Sequence, residues 1–168
     1  MTQLYLSRHG LTFDNVAQIM QGQRQGQLTP EGERQIMGLA ERLHDTRFDC
    51  IISSDLQRAI DSARIIAEPR GMEVVTTPLL RERDWGDFTG RFIPDLKGLD
   101  FPDNVEKMEV LLERANNFLL WIRENYPEQT VLAMGHGIIN KAIQAVYHHL
   151  PTKKIPRMDN AEYRVLDL

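Results

Sequence analysis

The fold is predicted by two short stretches of sequence, LYLSRHG at residues 4–10 and AMGHG at residues 133–137. Each stretch is apolar at its start and ends in a histidine followed by a glycine, which is typical of a buried strand that opens into a loop. In an open α/β sheet, the loops at the carboxyl ends of neighbouring strands converge on one crevice. We therefore expect His9 and His136 to face each other, although they lie far apart in the chain.

Outward from these stretches, further apolar runs alternate with helical patterns. Thr29 is a predicted helix cap, and Ser54 or Asp55 is the predicted cap of the next helix. A long functional loop is predicted at residues 11–28. Strands are predicted at residues 4–6, 50–52, 74–75, 130–134 and 163–168, helices at 30–43, 56–67, 105–126 and 138–147, and irregular structure with one short helical turn at 78–101. This alternation predicts an α/β fold, a three-layer sandwich with helices on both faces of a largely parallel sheet.

Length and composition limit the classes of function. The 168 residues, of which 42% are hydrophobic, predict a single domain that spans residues 1–168. A net charge of -4 argues against nucleic-acid binding and against adhesion to an anionic membrane, so an anionic ligand must bind in a local cationic pocket. The first residues contain no export signal and no stretch is apolar enough to cross a bilayer, which predicts a cytoplasmic protein. Cys50 is the only cysteine, and its apolar neighbours predict a buried, unreactive thiol.

The ends of three predicted strands carry groups that suit a phosphoryl group. Arg8 precedes His9, and Arg58 falls in the first turn of the helix after the second strand. Their planar guanidinium groups match the oxygen atoms of a phosphate. Two nearby cations also disfavour a third, so the pKa of an imidazole between them should be lowered, leaving it neutral and nucleophilic near pH 7. A helix that begins after His136 would direct backbone N–H groups toward the same anion.

These motifs, taken in order, resemble the histidine phosphatase, or phosphoglycerate-mutase-like, superfamily. A lone Arg-His-Gly tripeptide is a weak signal, whereas an ordered set over most of the chain is a strong one. The set comprises residues 8–10, Asn15, Gln21-Gly22, residues 28–32, residues 53–59, residues 80–82, Gly86, Gly90 and residues 135–137.

The resemblance implies a role for each matching residue. His9 matches the nucleophile that becomes a phosphohistidine, and Glu82 matches the acid that protonates the leaving oxygen and later activates water. The phosphate pocket is matched by Arg8, Arg58 and His136, and polar groups near the phosphate or the leaving group by Asn15, Gln21 and Gly22. The resemblance implies a small phosphorylated substrate. It also implies no metal or other cofactor, because the arginines neutralise the charge of the transferring group.

The chain also departs from the family pattern. Leu11 stands where many relatives carry a polar residue, and Val105-Glu106-Lys107 replaces the usual Gly-Glu-Ser, so Glu106 receives no catalytic role. Only residues 91–104 separate the acid segment from the long helix, whereas mutases insert a lid there. An open site admits water to the phosphoenzyme, which favours hydrolysis.

Several alternatives remain open at this stage. The alternative to phosphate binding for Arg58 is an ion pair with Asp55 or Asp61. The alternative to the acid role for Glu82 is a position in a solvent-exposed run of charged residues. A phosphoglycerate-type mutase and a non-catalytic phospholigand-binding module are the alternative functions. The leaving group is not identified, Trp85 is a candidate for the substrate wall, and the oligomeric state is not predicted.

Overall fold

The computed structural model describes residues 1–168 and contains one sheet of five strands. The strands are β1 (Gln3–Arg8), β2 (Cys50–Ser54), β3 (Val74–Thr77), β4 (Thr130–Gly135) and β5 (Tyr163–Asp167). Their order across the sheet is β3-β2-β4-β1-β5. The first four strands run parallel, and β5 pairs antiparallel with β1 at one edge.

Five α-helices accompany the sheet. They are α1 (Phe13–Ala17), α2 (Pro30–Arg42), α3 (Gln57–Ala67), α4 (Met108–Asn125) and α5 (Gly137–His148). Short 3-10 helices cover Glu68–Arg70, Pro78–Leu80, Gly86–Phe88, Ile93–Leu96 and Thr152–Lys154. None of the helices combines the length and the apolar character needed to cross a membrane.

The sheet separates two apolar clusters, because successive side chains of a strand point to opposite faces. On β4, Val131 and Ala133 pack with residues of α4 and α5, whereas Leu132 and Met134 pack with residues of α2 and α3. The predicted three-layer α/β sandwich with a largely parallel sheet is therefore confirmed.

Cys50 is half-buried, not buried as predicted. Three predictions of loops and helix bounds were also wrong. The predicted loop at residues 11–28 contains α1, which is too short for a periodic pattern and is held by a capping box between Thr12 and Asn15. The irregular segment 78–101 contains three 3-10 turns instead of one. The long helix begins at Met108 because Val105 closes a turn with Pro102.

Helix α4 allows a matched test of the core. Phe118 is fully buried between α4 and the sheet, whereas Leu120 on the same helix is 43% exposed. Phe118→Ala should lower the free energy of unfolding by about 3–5 kcal/mol, because it leaves a cavity. Leu120→Ala should change it by less than about 0.5 kcal/mol. Urea unfolding measures both values, and equal losses would contradict the assigned packing.

Candidate active site

The sheet register places the two histidines side by side. Arg8, the last residue of β1, is paired with Gly135, the last residue of β4. The residues that follow, His9 and His136, therefore leave the sheet together, and their ring centroids are 5.1 Å apart.

His9 is held in one tautomer at the end of β1. The side chain is only 2% exposed, and its Nδ1 lies 2.7 Å from the carbonyl oxygen of Gly10. Because a carbonyl oxygen only accepts hydrogen bonds, Nδ1 carries the proton and Nε2 keeps its lone pair. Burial, and then the positive charges of Arg58 and Arg8, lower the pKa of His9 well below its ordinary value. The ring is therefore neutral at pH 7, with a free nitrogen.

Arg58 reaches this site from the first turn of α3. It is 1% exposed and donates to the carbonyl oxygens of Gly22, at 2.8 Å, and Arg24. The alternative ion pairs are excluded, since Asp55 pairs with Arg81 and Asp61 accepts from Gln57. Burial lowers the pKa of Arg58 to about 10, so the side chain remains positively charged at neutral pH.

Arg8 is anchored by a segment far along the chain. Its Nη1 donates to the carbonyl oxygen of Met158 at 2.7 Å, in the loop between α5 and β5. The Nε atoms of Arg8 and Arg58 are buried and make no hydrogen bond within the protein. Each guanidinium is thus fixed by carbonyl groups through its terminal nitrogens and retains a donor, as an anion-binding arginine requires.

His136 is oriented by a residue that the sequence did not indicate for this purpose. Its Nε2 lies 2.6 Å from Oγ of Ser54, whereas its buried Nδ1 makes no hydrogen bond within the protein. The Ser54 hydroxyl also accepts from the N–H group of Leu56 at 3.3 Å, but the cap residue of α3 is Leu56 itself, not Ser54 or Asp55 as predicted. Burial and the charge of Arg58 lower the pKa of His136 well below its ordinary value.

Glu82 is placed by the start of α5. Its carboxylate accepts from the N–H groups of Ile138 and Ile139, both at 3.0 Å, and from that of Arg83 at 2.9 Å. It is half-buried and does not belong to a solvated charge run. The prediction that N–H groups at the start of α5 point toward a bound anion is narrowed accordingly, because those of Ile138 and Ile139 bind Glu82 whereas Gly137 lines the cavity.

An ion pair braces the backbone around Glu82. Arg114 on α4 lies 2.8 Å from Glu106 and also donates to the carbonyl oxygens of Leu79 and Arg81. Glu106 in turn accepts from the N–H group of Asp84 at 3.0 Å. Glu106, which received no catalytic role from the sequence, thus holds the chain on both sides of the carboxylate.

The loop after His9 rests on the first turn of α2. Thr29 donates to the carbonyl oxygen of Leu11 at 2.9 Å, and a Cβ atom on Gly10 or Gly32 would collide with the backbone of the facing segment. The motif at residues 28–32 therefore has a structural role, because Thr29 binds the backbone of Leu11 and Gly32 leaves room for it. Leu11 acts through its backbone and does not line the cavity described next.

A cavity of about 260 Å³ opens above these groups. Seven predicted site residues line it: Arg8, His9, Asn15, Gln21, Gly22, Arg58 and Glu82. His136 is the exception, because it is fully buried and packs against His9 instead of lining the wall. Trp85 and Gly137 line the cavity and were both indicated by the sequence, whereas Ile19, Met20, Ile93, Ile138, Lys141 and Arg157 were not. For Lys141 a signal did exist, since it stands four residues after Gly137 and so on the same face of α5.

The polar residues of the loop are tied together through Thr12. Asn15 accepts from the Thr12 N–H group at 3.0 Å, and Gln21 accepts from the Thr12 hydroxyl at 2.9 Å. Gly22 has a φ of +51°, which favours glycine and directs its carbonyl group to Arg58. No group of three or more His, Cys, Asp or Glu side chains is arranged to hold a metal ion.

Comparisons with known proteins agree with this geometry. A family model described as histidine phosphatase superfamily (branch 1) matches residues 4–168. The chain is 35% identical over 141 residues to the uncharacterized phosphatase PhoE of Bacillus subtilis, a match that covers 82% of this chain and 72% of that protein. It is 46% identical over 96 residues to the probable phosphoglycerate mutase GpmB of Proteus mirabilis, a match that covers 57% of this chain and 45% of the mutase.

A solved structure extends the similarity over nearly the whole chain. It is a mycobacterial glucosyl-3-phosphoglycerate phosphatase in complex with VO3, 29% identical, with a TM-score of 0.89. The superposition covers 98% of this chain and 92% of that one.

The lowered histidine pKa values predict a pH-dependent stability. The unfolded chain takes up protons as the pH falls below 6.5, the ordinary histidine pKa, whereas folded His9 and His136 stay neutral. The free energy of unfolding should therefore be highest above pH 6.5 and fall as the pH drops from there toward 5. His9→Asn should reduce this slope by up to about 1.4 kcal/mol per pH unit, the effect of one proton.

The measurement is urea unfolding between about pH 5 and 7.5 in a buffer free of phosphate. His148→Asn, on an exposed residue, is the control and should keep the slope of the original protein. Identical slopes for the original protein and His9→Asn would contradict the neutral, buried His9.

Proposed function

Since the chain belongs to the histidine phosphatase superfamily and is a phosphatase of that type, we propose that it hydrolyses small phosphomonoesters through a phosphohistidine on His9. One observation carries the proposal: a neutral His9 with a free Nε2 lies beside two charged, buried arginines that line the same cavity. A nucleophile for phosphorus and the groups that neutralise a phosphoryl anion thus meet in one place.

In the first step, the lone pair of His9 Nε2 attacks the phosphorus atom, and the bond from phosphorus to the leaving oxygen breaks. Arg8 and Arg58 bind the equatorial oxygens, where negative charge accumulates during the transfer. Glu82 in its protonated form gives its proton to the leaving oxygen, and the alcohol departs. The hydrogen bond from Nδ1 to Gly10 supports the positive charge that forms on the ring.

In the second step, water replaces the leaving group. The Glu82 carboxylate takes a proton from water, whose oxygen attacks the phosphorus atom as the bond to Nε2 breaks. Inorganic phosphate leaves, neutral His9 is restored, and Glu82 is protonated for the next cycle. Three backbone N–H groups and the brace from Arg114 and Glu106 support this proposal, because they keep one carboxylate in place for both steps.

Hydrolysis is favoured over a mutase reaction by the segment that borders the cavity. Residues 86–104 form two 3-10 turns joined to the loop at residues 18–20, and no inserted domain covers the site. Water therefore has access to a phosphohistidine. The similar proteins also favour hydrolysis, since the match to the phosphatase PhoE spans more of the chain than the match to the probable mutase GpmB.

Trapping the phosphoenzyme tests the proposal. After rapid mixing with ³²P-labelled p-nitrophenyl phosphate and an acid-free quench, the original protein should carry base-stable, acid-labile label, and His9→Ala should carry none. Glu82→Gln should accumulate label yet turn over about 10²–10⁴-fold more slowly, because p-nitrophenolate leaves without a proton whereas water still needs the base. His148→Gln is the matched control and should behave as the original protein.

The other functions predict different results. A mutase would pass the label to an added phosphoglycerate with little release of inorganic phosphate. A binding module would bind phosphate in all variants and show neither label nor turnover. Either result would overturn the proposal that the protein is a hydrolase.

A further inference from the structure

The cavity holds more positive charge than a phosphoryl group requires. Four cationic side chains line it, Arg8, Arg58, Lys141 and Arg157, against the single carboxylate of Glu82. With Glu82 protonated, as the first step of the proposed reaction requires, a phosphoryl dianion balances two of the four positive charges, and two remain. Outside this lining, Asp159 and Glu162 oppose the lowering of the pKa of Arg8 by burial, and Asp14 opposes that of Arg58, so the surplus is confined to the cavity wall.

The two additional cations are not used by the protein itself. Neither Lys141 nor Arg157 forms a salt bridge, and neither side chain donates a hydrogen bond to another residue. Lys141 is half-buried and Arg157 is exposed, so both can present their charge to a ligand. Lys141 is therefore a partly buried cation without a partner in the protein and Arg157 an exposed one, and both line the same cavity, where a bound anion can pair with them.

Both cations flank Arg8. The Arg8 guanidinium lies against Gly137, within 3.4 Å of where a Cβ atom would stand, and Lys141 is one helical turn further along α5. On the other side, Arg8 donates to the carbonyl of Met158, which follows Arg157. The charge of Arg157 is felt at Arg8, whose pKa it lowers after the larger effect of burial. Lys141 and Arg157 therefore border the phosphate position from the α5 side.

The remaining walls of the cavity are largely apolar. Ile19, Met20, Trp85, Ile93 and Ile138 line them. The loop at residues 18–20 and the segment at residues 90–93 are joined by backbone hydrogen bonds, among them one of 2.8 Å from Ile93 to Gln18. The volume of about 260 Å³ lies just below the range of about 300–1,000 Å³ typical of small-molecule sites, so the cavity accommodates a small leaving group.

We infer that Lys141 and Arg157 form a second anion subsite, and that the substrate is a small phosphomonoester whose leaving group carries a carboxylate or a second phosphate. This inference rests on the proposed function, because it places the transferred phosphoryl group on Arg8 and Arg58. It assigns substrate selectivity to two residues, one on α5 and one in the loop that follows.

Ligand binding without turnover provides the test. Calorimetry on the His9→Ala variant measures the dissociation constants of phosphoglycolate and of its uncharged amide, phosphoglycolamide. Phosphoglycolate should bind about tenfold more tightly, as expected for one anion shared by two partly exposed cations. A second pair, 1,3-propanediol bisphosphate and 3-hydroxypropyl phosphate, distinguishes phosphate from carboxylate as the second anion. The preference should weaken at high salt, because the cations are accessible to solvent.

Charge-neutralising variants test whether Lys141 and Arg157 cause the preference for the charged ligand. Adding Lys141→Gln and Arg157→Gln together should bring the ratio of dissociation constants in each pair close to one. Lys153→Gln, on an exposed lysine outside the cavity, is the matched control and should keep the preference. The inference is overturned if neither charged ligand binds more tightly than its neutral partner, or if the preference survives in the double variant. A lack of hydrolysis by the original protein would count against the proposed function alone, since these measurements need no turnover.

Discussion

The guanidinium groups of Arg8 and Arg58 lie close to His9 with almost no access to water. Removing such a charge from water costs several kcal/mol unless hydrogen bonds compensate it. The compensation comes from main-chain carbonyl groups, those of Met158 for Arg8 and those of Gly22 and Arg24 for Arg58. Because these carbonyls belong to irregular segments, the two loops cannot rearrange without leaving a buried charge unpaired.

The same constraint has a chemical consequence. Two cations and burial keep His9 neutral, and the Gly10 carbonyl determines which of its nitrogens is free. Glu82 is likewise held by backbone groups, at the start of α5. His9 and Glu82 are therefore positioned chiefly by the main chain at the ends of strands and helices, which has little freedom to move, and this favours a preorganised site.

Much of the architecture could be predicted because it depends on local patterns. The apolar runs located all five strands, and the helical spacing located the four longer helices. What escaped prediction depended on distant partners or was very short. Ser54 was predicted as a helix cap, yet its shorter hydrogen bond is to His136, and the cap position is taken by Leu56. Glu106 looked unimportant, yet it pairs with Arg114 and braces the segment that carries Glu82.

By itself, the sequence determined the α/β class, the two strand ends that carry His9 and His136, and most of the polar residues that line the cavity, because residue type and spacing along the chain encode these features. Only the tertiary structure decided that Lys141 and Arg157 border the same cavity, that the first turn of α5 binds Glu82, and that Ser54 orients His136. These are contacts between segments far apart in the chain, and they arise from the order of strands in the sheet, which no local pattern of residues specifies.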